Sequence, residues 1–386
     1  MYDLVLKGGR VVDPSQNMDA TADVAFANGK VAAIGPSLDA GKAETRDVAG
    51  KIVVPGIIDL HTHVYHLGTS LGVDPLVAAR EGGATTLIDA GSAGPGNFLG
   101  FRKHIIEPSP VRILAYLNIS FAGIYAFSHT TMVGECADMK LLDLKECLRV
   151  ADENRDLIIG IKVRVGRGAG GDSGHMPLDM AIEVADELGL PVMCHLDHPP
   201  PSRREVLDRM RPGDTLTHCF RPFPNAPVDG TGKVRSEILE ARARGIFFDI
   251  GHGGGSFGFK TGREMILNGF LPDCISSDIH VISADSGAID NLVTLSKFLC
   301  LGMSLNQVIT AATINPAKAV GRPELGSLKA GSIGDAVVLE HREGKFEYVD
   351  VLGETLIGGH RLLNAGMVVG GKWWFDGNVA NPGRTR

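Results

Sequence analysis

Two histidines spaced two residues apart end an apolar stretch early in the chain. His61 and His63 follow Val54–Leu60, a run that includes a Pro-Gly turn signal and is typical of a buried strand. Because side chains alternate across a strand, both imidazoles project to the same face. This arrangement suits one divalent metal ion, and a simple pair of polar residues at the end of a strand explains it equally well.

Four more ionisable residues end later apolar runs: Lys162, His195, His218 and Asp278. A single histidine in such a place is more often a structural residue, and an aspartate before a helix is usually an N-cap. The occurrence of four such residues in addition to His61 and His63 nevertheless favours a common site. Lys162 is the hardest to explain otherwise, since lysine is almost never buried unless paired, and an ammonium group beside metal ions is strongly disfavoured. Reaction of its amine with carbon dioxide would give a carbamate, an anion that can bridge two metals.

The pattern of apolar runs predicts two structural units. Residues 1–54 and 326–386 contain short alternating strands with glycine turns, and they predict one small β-sandwich domain built from both termini. Residues 55–325 alternate eight apolar runs with helical patterns and predict a (β/α)8 TIM-type barrel. A doubly wound sheet would alternate similarly, but the ionisable residues fall at the carboxyl ends of the strands, where barrel active sites lie. The eight predicted strands are 54–63, 85–89, 111–117, 157–163, 191–195, 214–218, 245–250 and 274–278.

The composition is that of an ordinary globular protein, with 44% apolar and 22% charged residues among 386. A net charge of −7 and the lack of a basic run argue against nucleic acid and anionic membranes as partners. No apolar stretch approaches the roughly 20 residues of a membrane helix, and the first residues lack a signal-peptide segment. Six cysteines without a spacing pattern predict a reducing, cytoplasmic location, and Cys194 and Cys219 are predicted to be core residues.

Several motifs resemble those of one enzyme superfamily. They are Pro55-Gly56-x-x-Asp59-x-His61-x-His63 on the first predicted strand, Asn315-Pro316-Ala317-Lys318 and Gly326–Gly331 near the end of the chain. With the order of the ionisable residues and the β-rich ends, they resemble the amidohydrolase superfamily over nearly the whole chain. The resemblance is to the branch that binds two metal ions and carries a carboxylated lysine.

This resemblance implies a ligand set. His61, His63 and Asp278 would bind the more buried ion, and His195 and His218 the other. Carboxylated Lys162 and a hydroxide would bridge both ions. Zinc is the first choice for a histidine-rich site with mixed nitrogen and oxygen ligands, and manganese or iron would also fit.

The implied reaction is metal-assisted hydrolysis of an ester or amide, in which Asp278 accepts the proton of the hydroxide and passes it to the leaving group. Dihydroorotases of this superfamily carry an arginine two residues past the second histidine, where this chain has Tyr65. The resemblance therefore favours the deacetylase-like group, which acts on acetylated 2-hydroxy acids or N-acyl amino acids. A dihydroorotase-type cyclic amidase, a deaminase and a lyase acting on a small amino or sugar acid remain the alternatives.

Further residues are candidates for binding the substrate. Arg164 lies two residues past Lys162 on the same face and could hold a carboxylate bidentately, while a salt bridge to a loop acid explains it equally well. His252, in a glycine-rich segment, and Tyr65 are candidates for the wall of the substrate pocket. Gly166–Gly171 satisfies the dinucleotide pattern G-x-G-x-x-G, but a flexible active-site loop accounts for it better. The expected partners are a small anionic substrate and, since such barrels often pair, a second copy of the chain.

Overall fold

The computed structural model describes residues 1–285 and 290–377, so residues 286–289 of the predicted barrel and 378–386 of the predicted β domain lie outside the described residues. The strands are β1 (Leu4–Asp13), β2 (Met18–Ala27), β3 (Lys30–Gly35), β4 (Glu44–Asp47), β5 (Ile52–Pro55), β6 (Ile57–Thr62), β7 (Ala84–Ala90), β8 (Arg112–Asn118), β9 (Ile158–Val165), β10 (Val192–Leu196), β11 (Thr215–Leu216), β12 (Phe247–Phe248), β13 (Ala336–Val349), β14 (Thr355–Val369) and β15 (Lys372–Phe375). The helices are α1 (Pro75–Gly82), α2 (Phe98–Phe101), α3 (Leu144–Glu153), α4 (Arg167–Gly170), α5 (Met176–Leu188), α6 (Arg203–Arg209), α7 (Ser236–Ala243), α8 (Phe259–Leu267), α9 (Asn291–Cys300), α10 (Leu305–Ala312) and α11 (Ile314–Ala319).

Strands from both ends of the chain form one mixed sheet. Its order is β15-β14-β13-β5-β1-β2-β3, and β4 pairs with the edge of β1. The two ends meet where β5 and β13 pair antiparallel, with Val53 opposite Val338. Both valines are buried in one cluster with Leu6 and Phe26, so apolar side chains of the two termini share a core.

The second sheet is parallel and contains β6 to β12 in sequence order. Helices follow most of these strands, which gives the α/β class that the alternation predicted. The predicted strand 54–63 is divided, since Val54 and Pro55 belong to β5 of the first sheet. Gly56 connects the two sheets. The position requires a residue without a side chain, because a Cβ there would lie only 2.4 Å from Thr85 Oγ1.

Residues 274–279 lie between the two edges of the parallel sheet but form no continuous strand. Cys274 makes a parallel bridge to Asp249 after β12, and Ile279 makes one to Thr62 of β6. The Asp278 amide donates to the carbonyl of His61 at 2.7 Å. The sixth and seventh predicted strands are also shorter than expected, as β11 and β12 contain two residues each.

The helices pack on the sheet as their sequences dictate. In α5, Leu178, Ala181, Val184 and Leu188 recur every three or four residues and are all buried against the sheet. The helix ends at Gly189, which adopts the left-handed conformation with φ of 66°. Within residues 1–285 and 290–377, none of the helices is both long enough and apolar enough to cross a membrane.

Candidate metal centre

The structure brings all six predicted metal ligands to one pocket beyond the carboxyl ends of the parallel strands. The ring centroid of His61 lies 5.3 Å from that of His63 and 5.1 Å from that of His218. The ring centroids of His195 and His218 are 4.5 Å apart. Asp278 Oδ1 lies 3.4 Å from His61 Nε2 and 3.3 Å from His63 Nε2. Besides the six predicted ligands, the pocket is lined by Leu71, Ile124, Phe127, Arg164 and His280.

The donor atoms fit metal ions. One donor atom each of His61, His218 and Asp278 lies within 4.8 Å of the other two, which is close enough to share an ion. Lys162 Nζ and His195 Nε2 are buried and have no hydrogen-bond partner in the described structure. Buried polar atoms are normally paired, so two such atoms facing one pocket indicate groups that bind something else.

Burial sets the charge state of these side chains. It lowers the pKa of His63 to about 3 and the pKa values of His61, His195 and His218 well below the usual range. These imidazoles are therefore neutral near pH 7 and offer the lone pairs that metal binding requires. Burial also lowers the pKa of Lys162 to about 8, so its amine is neutral far more often than an exposed lysine.

Hydrogen bonds behind the pocket fix the orientation of His61. Thr217 Oγ1 donates to Asp249 Oδ2 at 2.7 Å, so its oxygen accepts from His61 Nδ1 at 2.8 Å. The proton thus resides on Nδ1, and Nε2 is left with its lone pair toward the pocket. Asp249 also accepts from Ser276 Oγ at 2.7 Å, which ties this chain to the segment before Asp278.

Two other imidazoles have their own orienting partners. His218 Nδ1 donates to the Gly251 carbonyl at 2.7 Å. His63 Nδ1 lies 2.9 Å from Ser92 Oγ, and the Ser92 amide donates to Asp89 Oδ1 at 2.7 Å. Partners of this kind are a regular feature of histidines that bind metals.

We expect Thr217→Val to weaken metal binding about 10- to 100-fold, because His61 Nδ1 loses the hydrogen-bond acceptor that keeps the proton on this nitrogen. Zinc retention during dialysis against a graded chelator series measures this loss. Thr294→Val is the matched control, since Thr294 is a buried threonine of α9 that donates only to the Asp290 carbonyl. Equal zinc retention in the two variants would contradict the role assigned to Thr217.

Asp278 is held in an uncommon backbone conformation. Its φ is 49° and that of His218 is 63°, values that cost non-glycine residues energy and that cluster at functional sites. Asp59 stabilises the segment, since it accepts from the Ser277 amide at 2.9 Å and from Ser277 Oγ at 2.5 Å. At Gly253, a Cβ would lie 2.2 Å from Asp278 Oδ2, so a glycine is required there.

Arg164 lines the pocket as predicted and also makes the salt bridge that was its alternative explanation. Its guanidinium lies 3.2 Å from Glu135 Oε2, and Glu135 is fully buried. It also stacks 5.2 Å from the ring centroid of Phe127. One face of the guanidinium is therefore packed while the side chain still borders the pocket.

The structure does not bring His252 and Tyr65, the two candidates for walls of the substrate pocket, to the pocket of the six ligands. His252 is fully buried outside the pocket, and its Nε2 lies 2.8 Å from Lys297 Nζ. Tyr65 packs on Phe101 at 4.8 Å between ring centroids, and its hydroxyl donates to the Asn97 carbonyl at 3.3 Å. Both follow strand ends, where the loop path rather than strand alternation sets the direction of a side chain.

The segment Gly166–Gly171 is not a loop throughout, because α4 follows β9 directly. The carboxylate of Asp197 accepts from the amides of Gly168 at 3.1 Å and Ala169 at 3.0 Å. A Cβ on Gly166 would lie 2.0 Å from the same carboxylate. The chain's own aspartate therefore caps this turn, which agrees with the rejection of dinucleotide binding.

His280 was missed by sequence reasoning. It borders the pocket, and its ring centroid lies 6.1 Å from that of His63 and 5.4 Å from that of Phe127. Its Nδ1 accepts from the Ser283 amide at 3.2 Å, so the neutral ring carries its proton on Nε2. A signal was available, since Asp278-x-His280 repeats the two-residue spacing of His61-x-His63.

Comparisons with known proteins agree with this geometry. Residues 258–362 match the profile of the amidohydrolase family. A deacetylase of Brucella anthropi is 37% identical over 342 residues, which are 88% of this chain and 84% of that protein. A dihydroorotase crystal structure matches with a TM-score of 0.89 and 34% identity over 97% of this chain and 98% of the other. An adenine deaminase crystal structure matches with a TM-score of 0.90 and 28% identity over 97% of this chain and 100% of the other.

A parallel α/β sheet with imidazoles, a carboxylate and a buried lysine at its carboxyl edge defines a hydrolytic enzyme with a candidate metal centre. The chain belongs to the amidohydrolase superfamily, in the group that contains deacetylases and dihydroorotases. The resemblance to this superfamily that the motifs indicated is thereby confirmed.

Proposed function

We propose that this enzyme is a metal-dependent deacetylase that releases acetate from a small carboxylate-bearing ester or amide. An acetylated 2-hydroxy acid or an N-acetyl amino acid is the substrate class. The observation that carries the proposal is the convergence of six ligand-type side chains in a pocket bordered by Arg164. The similarity to a protein named as a deacetylase supports the acyl group.

We assign the ligands as the resemblance implies. His61, His63 and Asp278 would hold one ion, His195 and His218 would hold the second, and carboxylated Lys162 would be a ligand of both. Zinc suits this set of nitrogen and oxygen donors. When bound, two such ions would lower the pKa of a shared water toward neutrality and polarise the acyl carbonyl.

The surroundings of Lys162 support its carboxylation. Its Nζ is buried without a hydrogen-bond partner in the described structure, and its lowered pKa keeps a sizeable fraction of the amine neutral. The neutral amine can form a C–N bond with carbon dioxide and release one proton, which yields the carbamate anion. An anion at this point offsets the charge of the ions between the imidazoles.

Asp278 is the proposed catalytic proton carrier. Burial raises its pKa to about 6, and the positive charges of Arg164 and Arg221 act in the opposite direction. A carboxylate with a pKa near neutrality can accept a proton from the attacking water and then deliver it to the departing alkoxide or amine. Its backbone is fixed by the bond to the His61 carbonyl, so the carboxylate is held beside the ligands.

The rim of the pocket suits an anion with an apolar group. Arg164 borders the pocket, and Arg221, which donates to the Leu196 carbonyl at 3.0 Å, adds a second positive charge near Asp278. Neutral His280 can donate from Nε2 to a carboxylate oxygen. Phe127 and the neighbouring aliphatic side chains provide the apolar wall.

We expect Arg164→Met to raise KM for an acetylated hydroxy acid about 10- to 100-fold, since a charged hydrogen bond contributes ~1.5–3 kcal/mol. The methyl ester of the same substrate should show little change, because it lacks the negative charge. Steady-state kinetics on the matched pair measure the difference. Glu135→Gln is the control, because it removes the salt bridge and keeps the guanidinium. Equal KM increases for acid and ester would contradict carboxylate binding by Arg164.

A second candidate function is a cyclic amidase of the dihydroorotase type, favoured by the TM-score of 0.89 to a dihydroorotase at 34% identity. Tyr65 stands where those enzymes carry the arginine that grips the substrate carboxylate, and its ring is packed on Phe101 outside the pocket. A deaminase would instead release ammonia. The three reactions therefore differ in their products.

The test is product analysis with zinc-loaded enzyme. The panel contains acetylated 2-hydroxy acids, N-acetyl amino acids, dihydroorotate and adenine. Acetate release from a member of the first two classes, abolished by chelation and restored by zinc, is the expected result. Ring opening of dihydroorotate, ammonia from adenine, or no turnover by an enzyme with its full metal content would each overturn the deacetylase proposal.

The closed barrel, the small β domain, the cellular location and the pairing of two chains are proposals as well. We propose that residues 274–279 act as the eighth strand of a closed (β/α)8 barrel over residues 55–325, supported by their bridges to Asp249 and Thr62. Residues 1–54 and 326–386 would form the small β domain. All six cysteines are free thiols, which supports a cytoplasmic location. Pairing with a second copy of the chain stays a prediction.

A further inference from the structure

A second group of metal-binding side chains lies on the hairpin formed by β13 and β14. It consists of His341 and Glu343 of β13 and His360 of β14. In the register of the hairpin, Glu343 is paired with His360. His341 lies two residues from Glu343 along the strand, so the three side chains share one face of the sheet.

The two imidazoles approach each other closely. His341 Nε2 and His360 Nδ1 are 3.1 Å apart, and the ring centroids are 5.1 Å apart with the planes tilted by 37°. One donor atom of each of the three residues lies within 4.8 Å of the other two. Two nitrogens bound to one tetrahedral zinc ion are roughly 3.4 Å apart, given zinc–nitrogen bonds of about 2.1 Å. The observed separation thus needs only a small adjustment to bind an ion.

We propose that His341, Glu343 and His360 form a separate site for a divalent cation of the zinc class. Two histidines and one glutamate are a donor set that zinc uses in proteins, with the fourth position left to water. The histidines are half-buried and Glu343 is exposed, so an ion can enter from solvent. This site lies outside the catalytic pocket and does not depend on the proposed function.

The backbone around the cluster is already fixed. The His360 carbonyl accepts from Tyr348 Oη at 2.8 Å and from Cys300 Sγ at 3.3 Å. This anchors β14 to α9 and holds the imidazole opposite β13. Because the backbone of the ligands is already held in place, binding of an ion costs little conformational entropy.

At the position of the cluster, a bound ion would affect how the hairpin of β13 and β14 is held together. β13 pairs with β5 only through Ala336–Leu339, and the hairpin continues well beyond that point. The cluster lies just past this contact, where the pairing of β13 with β14 shifts register after Glu343. An ion bound there would join the two strands where the hairpin leaves the body of the sheet.

The test is zinc binding by the full-length protein whose catalytic centre is already loaded. Equilibrium dialysis with elemental analysis should show one additional ion in the wild type and its loss in His341→Ala and His360→Ala. His104→Ala, which removes an exposed histidine elsewhere, should keep it. Glu343→Gln should weaken binding at least tenfold without affecting the fold, because the side chain is exposed.

Anomalous diffraction at the zinc edge gives an independent readout. The expected result is a peak between the imidazoles of His341 and His360, separate from any in the catalytic pocket. Thermal unfolding should also shift upward with added zinc in the wild type more than in His360→Ala. The same zinc count in wild type and both histidine variants, or no peak at the hairpin, would overturn the proposal whatever the catalytic pocket binds.

Discussion

Lys162→Ala is expected to lose at least one of the two proposed metal ions and to reduce kcat/KM about 10³-fold or more, because the proposed ligands act as a unit. The variant removes the proposed bridging anion, so one carboxylate beside four neutral imidazoles would be left to offset the charge of two divalent ions. Elemental analysis of the purified protein and single-substrate kinetics measure the two effects. Intact mass of the wild type under native conditions should show the added mass of one carbon dioxide.

A small carboxylate should partly restore the Lys162→Ala enzyme. The variant leaves a cavity at the pocket into which formate can bind as a substitute anion, so activity should rise with formate concentration. Lys297→Met is the control, because Lys297 is also fully buried but bonds to His252 and the Val349 carbonyl outside the pocket. Both ions retained with near wild-type turnover in Lys162→Ala would remove Lys162 from the ligand set.

Asp278→Asn is expected to retain most of the metal and to reduce kcat by ~10²–10⁴, the usual contribution of a positioned acid or base. The amide keeps the shape of the side chain and an oxygen donor, but it cannot accept a proton. KM should change little, since the other ligands and Arg164 remain. Zinc content and kcat measured on the same preparation separate metal loss from loss of proton transfer.

Asp197→Asn is the matched control for this variant. Its carboxylate lies 3.8 Å from His195 Nε2, yet it accepts from the amides of Gly168 and Ala169. We expect a much smaller decrease in kcat. Near wild-type kcat in Asp278→Asn would show that another group carries the proton, and early loss of zinc would show that Asp278 acts mainly as a ligand.

Most residues that line the pocket could be brought together by sequence reasoning because strand geometry is local. Once Ile158–Val165 is recognised as a strand, its period of two determines that Lys162 and Arg164 share a face. The same alternation, continued one residue past Ile57–Thr62, puts His61 and His63 on one face. The spacing Asp278-x-His280, which repeats that of His61-x-His63, would have drawn attention to His280. The parallel arrangement then brings the carboxyl ends of distant strands to one edge.

Side chains beyond the strand ends could not be placed in this way. Tyr65 and His252 each follow a strand, but the loop path turns one toward Phe101 and the other toward Lys297. Loop dihedrals depend on packing with residues far away in the chain. Arg164 illustrates the same limit, since its partner Glu135 comes from a loop 29 residues earlier that the strand pattern does not describe.

The sequence by itself determined the α/β class and the residue types that could bind metal, since these follow from periodicity and from residue chemistry. It also indicated the superfamily, through the resemblance of its motifs. Only the tertiary structure decided which tautomers His61 and His218 adopt, because Thr217 and Gly251 reach these histidines from other strands and loops. It also decided the close approach of His341 and His360, which depends on the register of two long strands. Register and hydrogen-bond direction are properties of contacts between distant segments, and local sequence patterns do not encode them.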